Sequence, residues 1–172
     1  FISEDSYIKI NILGKRINFF APNHLIRFRI NTFWTKEPET LEWIRSFKKK
    51  KNKIIFWDIG ANIGSVSLPL ANMFKNSKIV SIEPTIYAYS KLKKNVSLNP
   101  SLKSRIKLEN SFISNKNKSV KEVHSSWNFS DNDKKHKVHL GILKKTSFKT
   151  KKLDKICSKF KKIDFIKIDV DG

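Results

Sequence analysis

The most constraining stretch of the chain is the run from Ile54 to Phe74, IIFWDIGANIGSVSLPLANMF. Ile54–Trp57 is apolar without a break, short, and β-branched at its start, as expected for a strand covered on both faces. It stops at an acid, Asp58, and turns through Gly60 and Gly64. An amphipathic segment follows, with Ile63, Val66, Leu70, Met73 and Phe74 on one side of a helix. Pro69 falls inside that helix and should bend it or shorten its first turns. The turn spells D-x-G-x-x-x-G, not the G-x-G-x-x-G of a dinucleotide site.

The alternation then repeats. Lys78–Pro84 reads as a second strand, TIYAYSKLKKNVSLN as a helix aligned on Tyr89, Leu92 and Val96, and Arg105–Asn110 as a third strand. Ile163–Val170 is a fourth, preceded by a short helix in TKKLDKICSKF. Such a series implies parallel strands joined by right-handed crossovers, an α/β, Rossmann-like architecture. Upstream, Ile8, Ile10 and Ile12 alternate, the chain turns at Leu13-Gly14-Lys15, and Ile17 and Phe19 alternate again, which predicts a β-hairpin. HLIRFRINTF is read as a further extended segment. Pro38 opens a helix carrying Leu41, Ile44 and Phe47 on one face. This divides the chain into an N-terminal hairpin-and-helix segment, 1–50, and a core, 51–172. Residues 114–152 are polar and weakly patterned; SVKEVHSS and KVHLGIL are candidates for a short antiparallel pair or an insertion.

Charge invites a nucleic-acid partner, since 36 Lys+Arg face 15 Asp+Glu for a net +21. Lysine outnumbers arginine and is scattered, whereas a phosphate-reading surface favours the planar guanidinium. Background composition is therefore the preferred reading, with nucleic acid kept as an alternative. Cys157 is the one cysteine, which fits a reducing, cytoplasmic setting. No apolar run has the length of a transmembrane helix. His136 and His139 lack a partner acid at helical spacing, so no metal site is expected. The start at Phe1 and the stop at Asp171-Gly172, just after a strand, suggest a fragment with an incomplete sheet.

Ligands of doubly wound sheets bind beyond the carboxyl ends of the strands, where the strand order reverses. Asp58, Glu83, Asn110 and Asp169 all fall at such ends. A crevice this acidic suits a ligand with positive charge and sugar hydroxyls, and S-adenosylmethionine has a sulfonium, an ammonium and a ribose diol. Asp58 would face the amino-acid end. Gly60 and Gly64 would let the backbone approach closely, with Asn62 between them. Glu83, 25 residues after Asp58, would accept from the ribose hydroxyls. Asn110 and Ser111 would lie near the adenine.

FWDIGANIGSVSLPLA, SIEP and IDFIKIDVDG together resemble the FkbM-type family of S-adenosylmethionine-dependent methyltransferases. TFWTKEPETLEWI carries an E-P-x-T segment similar to that of family members, and KKLDKI resembles their T-L-D segment with Lys152 in place of threonine. The resemblance runs from about Thr32 to Gly172. It implies a sugar, glycan or secondary-metabolite acceptor, expected to be methylated on oxygen in preference to nitrogen. Asp169 and Lys167, two residues apart on one face of the last strand, are the catalytic candidates, and Glu37 and Asp171 are substrate candidates. Asp171 stands where the family usually has glutamate, one methylene longer. An RNA methyltransferase, a nicotinamide-dependent oxidoreductase and a non-catalytic binding module remain as alternatives.

Overall fold

The computed structural model describes residues 7–12, 14–36, 38–48, 53–114, 119–120, 148–158 and 162–170. The hairpin forms as expected. β1 (Tyr7–Ile12) pairs antiparallel with β2 (Lys15–Phe20), setting Ile10 opposite Ile17 and Ile8 opposite Phe19. HLIRFRINTF is not extended. It belongs to helix α1 (His24–Lys36). Asn23 caps that helix: its Oδ1 accepts from the Ile26 amide at 2.9 Å and its carbonyl from Arg27 at 3.1 Å. Ile26 and Ile30 are buried and Phe33 is partly buried, a 3-to-4 spacing that commits one face of the helix to the core.

Helix α2 (Pro38–Lys48) buries Ile44 and Phe47 completely. Phe47 stacks on Phe165 with ring centroids 3.6 Å apart, and also meets Phe56 and Phe74. Each such side chain removed from water contributes roughly 2 kcal/mol.

The central sheet is built from β3 (Ile55–Ile59), β4 (Lys78–Ile82), β5 (Ile106–Glu109) and the last strand, β9 (Phe165–Ile168). Its order is β5-β4-β3-β9, and every pair is parallel. In core-strand order this reads 3-2-1-4, the doubly wound order with its reversal beside β3. The crossovers carry α3 (Ser67–Met73) and α4 (Ile86–Ser97), followed by the short α5 (Pro100–Lys103). Helix α3 begins later than the apolar spacing suggests, so Ile63 and Val66 belong to the turn. Pro69 then sits in the first helical turn, where its missing N–H leaves no bond unmade.

Beyond β5 lie β6 (Phe112–Ile113), β7 (Ser119–Val120) and β8 (Phe148–Lys151), a small sheet ordered β6-β8-β7. Ser119–Val120 thus pairs with Phe148–Lys151, and KVHLGIL lies outside the described residues. Helix α6 (Leu153–Cys157) leads towards β9.

The sheet is covered on both faces. Phe56 and Ile79 join the larger buried cluster, which also takes in Ile12, Ile17, Phe19 and Ile30 from the N-terminal elements. Trp57, Ile59, Val80 and Ile82 form the second. No helix among the described residues is long and apolar enough to cross a membrane.

Candidate functional site

β3 runs two residues further than its apolar stretch, so Asp58 lies within the strand. In register, Asp58 stands between Ser81 of β4 and Lys167 of β9. Its Oδ2 accepts from the Ser67 hydroxyl at 2.6 Å, and Ser67 in turn meets the Ser81 hydroxyl at 2.6 Å. Its Oδ1 is buried with no hydrogen-bond partner among the described residues. Burial raises the Asp58 pKa above the ordinary 3.8. The Ser67 bond and the Lys167 charge oppose that rise, and the Asp169 and Glu83 charges add to it.

The glycines serve different ends. Gly60 has φ +81°, and a Cβ there would coincide with the carbonyl oxygen of Asp169, so the turn and the end of β9 touch backbone to backbone. Gly64 has φ +91°, and a Cβ there would press on Leu92 of α4 at 2.8 Å. Gly64 therefore lets α4 pack closely and is not part of the cavity wall described below. Asn62 also takes a positive φ, 50°.

Glu83 is 5% exposed and holds the turn. Its Oε2 accepts from the Asn62 amide at 2.9 Å, and its Oε1 from the Thr85 amide at 2.9 Å and the Thr85 hydroxyl at 2.6 Å. With about two acceptor positions per carboxylate oxygen, Oε1 is saturated and Oε2 keeps one. Asn110 turns away from the cavity and donates from Nδ2 to the carbonyls of Glu83 and Pro84, at 2.8 and 3.0 Å. Its neighbour Ser111 is buried against the cavity, and its hydroxyl has no partner among the described residues. Lys167 Nζ meets Asp169 Oδ2 at 2.7 Å, with Lys167 largely enclosed and Asp169 largely exposed. Glu37 and Asp171 lie outside the described residues.

These residues converge on one cavity of about 800 Å³ at the carboxyl ends of β3, β4 and β9. Asp58, Gly60, Asn62, Glu83, Ser111, Lys167 and Asp169 all line it. Three buried polar atoms in that wall are orphans: Asp58 Oδ1, Asn62 Oδ1 and Ser111 Oγ. Two acceptors and a hydroxyl without partners suit a ligand that brings N–H and O–H donors, since each costs about 1–3 kcal/mol left unpaired.

Sequence reasoning missed the wall contributed by α1. Leu25, Phe28, Arg29 and Thr32, one helical stripe, line the cavity. Asn23 followed by apolar residues at 26, 30 and 33 was the available signal. It also missed Ser67 and Ser81, which no motif marks because they serve Asp58 from elements apart in sequence.

The Methyltransferase FkbM domain model matches residues 58–172, more than half of the chain. The chain belongs to the FkbM methyltransferase domain family. The match begins at Asp58, so α1, α2 and the E-P-x-T segment precede it. No curated protein matches the chain. Among solved structures it is similar to the precorrin-6y C5,15-methyltransferase of Geobacter metallireducens GS-15, at 24% identity and TM-score 0.36 over 44% of this chain and 37% of that one. It is also similar to a SAM-dependent methyltransferase of Agrobacterium tumefaciens, at 15% identity and TM-score 0.44 over 60% of this chain and 32% of that one. A tRNA methyltransferase of M. jannaschii aligns at 24% identity and TM-score 0.37 over 66% of this chain and 34% of that one. The FkbM-domain chain thus spans about a third of the length of each.

Proposed function

We propose that this FkbM-domain chain binds S-adenosylmethionine and serves a methyltransferase acting on a hydroxyl oxygen of a sugar, glycan or secondary metabolite. The observation that carries the cofactor is the trio of orphan polar atoms in one cavity wall. Asp58 Oδ1 is the acceptor for the ammonium group. Asn62 Oδ1 and the remaining position on Glu83 Oε2 accept from the ribose hydroxyls. Ser111 Oγ lies with the adenine, while Asn110 supports it from outside by fixing the exit of β4.

When bound, S-adenosylmethionine supplies an electrophilic methyl group on its sulfonium for in-line displacement. The protein's main contribution is to hold the acceptor oxygen in line at near-contact distance. Asp169, exposed and paired with Lys167, orients the acceptor hydroxyl and takes its proton late in the displacement.

Calorimetry of the full-length protein with S-adenosylmethionine, S-adenosylhomocysteine and NAD tests this reading. Micromolar binding of the first two, with NAD at least about tenfold weaker, is expected. NAD binding of equal strength would overturn it. The net charge of +21 favours one second reading, methylation of RNA. Methyl incorporation into an RNA that stays bound at physiological salt would establish that instead.

A further inference from the structure

Asp58 stands in β3 with Ser81 beside it on β4, and Ser67 reaches it from the first residue of α3. All three are fully buried. Asp58 lines the cavity, whereas the two serines lie behind it and outside the wall. They form a chain from Ser81 to Ser67 to Asp58 Oδ2, with both steps at 2.6 Å. Among the described residues neither hydroxyl has a further partner.

Counting protons fixes the direction of this chain. Each hydroxyl has one proton to donate. With Asp58 ionised, Ser67 donates to Oδ2 and Ser81 donates to Ser67, so both protons are used. With a proton on Oδ2, Ser67 would have to turn and donate to Ser81. The Ser81 proton would then be buried without an acceptor, at a cost comparable with a lost hydrogen bond. A proton taken up by Asp58 therefore goes to Oδ1, the oxygen with no partner among the described residues. There it turns an acceptor for a cation into a donor.

We propose that Ser67 and Ser81 are positioning residues of the cofactor site: their one-way chain keeps Asp58 a carboxylate with Oδ1 as a bare acceptor. They thereby set the pH range in which the cavity takes the ammonium group of S-adenosylmethionine. The assignment rests on the methyltransferase reading and deepens it. Burial raises the Asp58 pKa, and the Ser67 bond is the largest influence against that rise. Lys167 of β9 helps Ser67, while Asp169 of the same strand end and Glu83 beyond β4 oppose it. Arg29 of α1 lines the same cavity. The serines carry no charge and touch no ligand, so their effect on binding has to pass through Asp58.

The test uses the full-length protein and two ligands. S-adenosylhomocysteine carries the ammonium group; methylthioadenosine shares the nucleoside and lacks it. Calorimetry covers the range from about pH 4 to 8, and the Asp58 carboxyl is titrated by carboxyl-carbon NMR in the unliganded protein. Ser67→Ala should weaken S-adenosylhomocysteine by about tenfold at the acid end and by less than about threefold at the alkaline end. Its Asp58 titration should move up, and methylthioadenosine affinity should stay within about twofold. Ser81→Ala keeps the Ser67 bond to Asp58 and should shift both profiles less, in the same direction. Added to Ser67→Ala, it should change the pH profile no further, because it acts only through Ser67. A loss equal at every pH, a loss shared by methylthioadenosine, or an unmoved Asp58 titration overturns the proposal and leaves the serines structural. Should Ser67→Ala fail to fold, an unmoved titration in Ser81→Ala overturns it alone. Wild-type protein that binds neither ligand overturns the methyltransferase reading itself; S-adenosylhomocysteine bound without these shifts overturns only the role of the serines.

Discussion

The glycine turn and helix α1 both line one cavity, yet they are specified in opposite ways. In the turn, nearly every residue answers to a backbone constraint: Gly60 to the Asp169 carbonyl, Gly64 to Leu92, and the Asn62 amide to Glu83. In α1, one face is committed by Ile26 and Ile30, while the stripe at Leu25, Phe28, Arg29 and Thr32 owes little to the core. A binding site thus combines a part that backbone geometry permits in few ways with a part that tolerates many side chains. Substitutions should sort the two regions sharply.

The largest effect is expected at Gly60. Gly60→Ala forces a side chain into φ +81° and against backbone, so it should lose at least about 3 kcal/mol in urea unfolding or fail to fold. Stability within 1 kcal/mol of wild type, roughly the middle of ordinary substitutions, would break the contrast. Gly64→Ala meets the flexible end of Leu92 instead, and about 2 kcal/mol is expected, with cofactor affinity within twofold because Gly64 is not in the cavity wall. Glu83→Ala removes the acceptor for the Asn62 and Thr85 amides and should weaken S-adenosylmethionine by about tenfold or more in calorimetry. Unchanged affinity would take Glu83 out of the site.

Asp58 provides a subtler test. Its folded-state pKa is raised, so the native protein binds this proton more tightly than the unfolded chain. The resulting stability is fully present below the ordinary pKa of 3.8 and is lost as pH rises through the raised value. Asp58→Asn carries no such penalty. Its thermal midpoint should match or exceed wild type near pH 7, and the gap should close as pH falls towards about 4. Cofactor affinity should fall in the same variant; a fall in stability with affinity intact would make Asp58 a structural group only. The smallest effect belongs to α1: Thr32→Val should change stability by no more than about 0.5 kcal/mol, measured by urea unfolding.

The same contrast explains what could be read in advance. Strand, turn and strand-end acids were legible because period and backbone chemistry are local: Ile54–Trp57 has to be covered, and Gly60 has to turn. The hairpin was legible for the same reason. Helix α1 was misread because HLIRFRINTF, with Ile and Phe interleaved with Arg, satisfies an extended pattern as well as a helical one. Asn23 decided between them through a hydrogen bond that composition does not display. Asn110 was placed near the ligand because it ends a strand, yet its amide serves the β4 exit and its neighbour Ser111 faces inward. Position along a strand fixes the location of a residue, while side-chain direction depends on partners far away in sequence.

One such partner carries a further consequence. Asn95, fully buried on α4, accepts from the Phe20 amide at 2.7 Å and donates to the Ile63 carbonyl at 2.8 Å. A single amide group thereby clips the last residue of the hairpin, just ahead of α1, to the turn that Glu83 holds. Solvent deuterium can reach the Phe20 amide only when that clip opens. The Phe20 N–H, outside the cavity wall, should therefore exchange more slowly whenever the turn is occupied, and so report from outside the cavity whether the site is full.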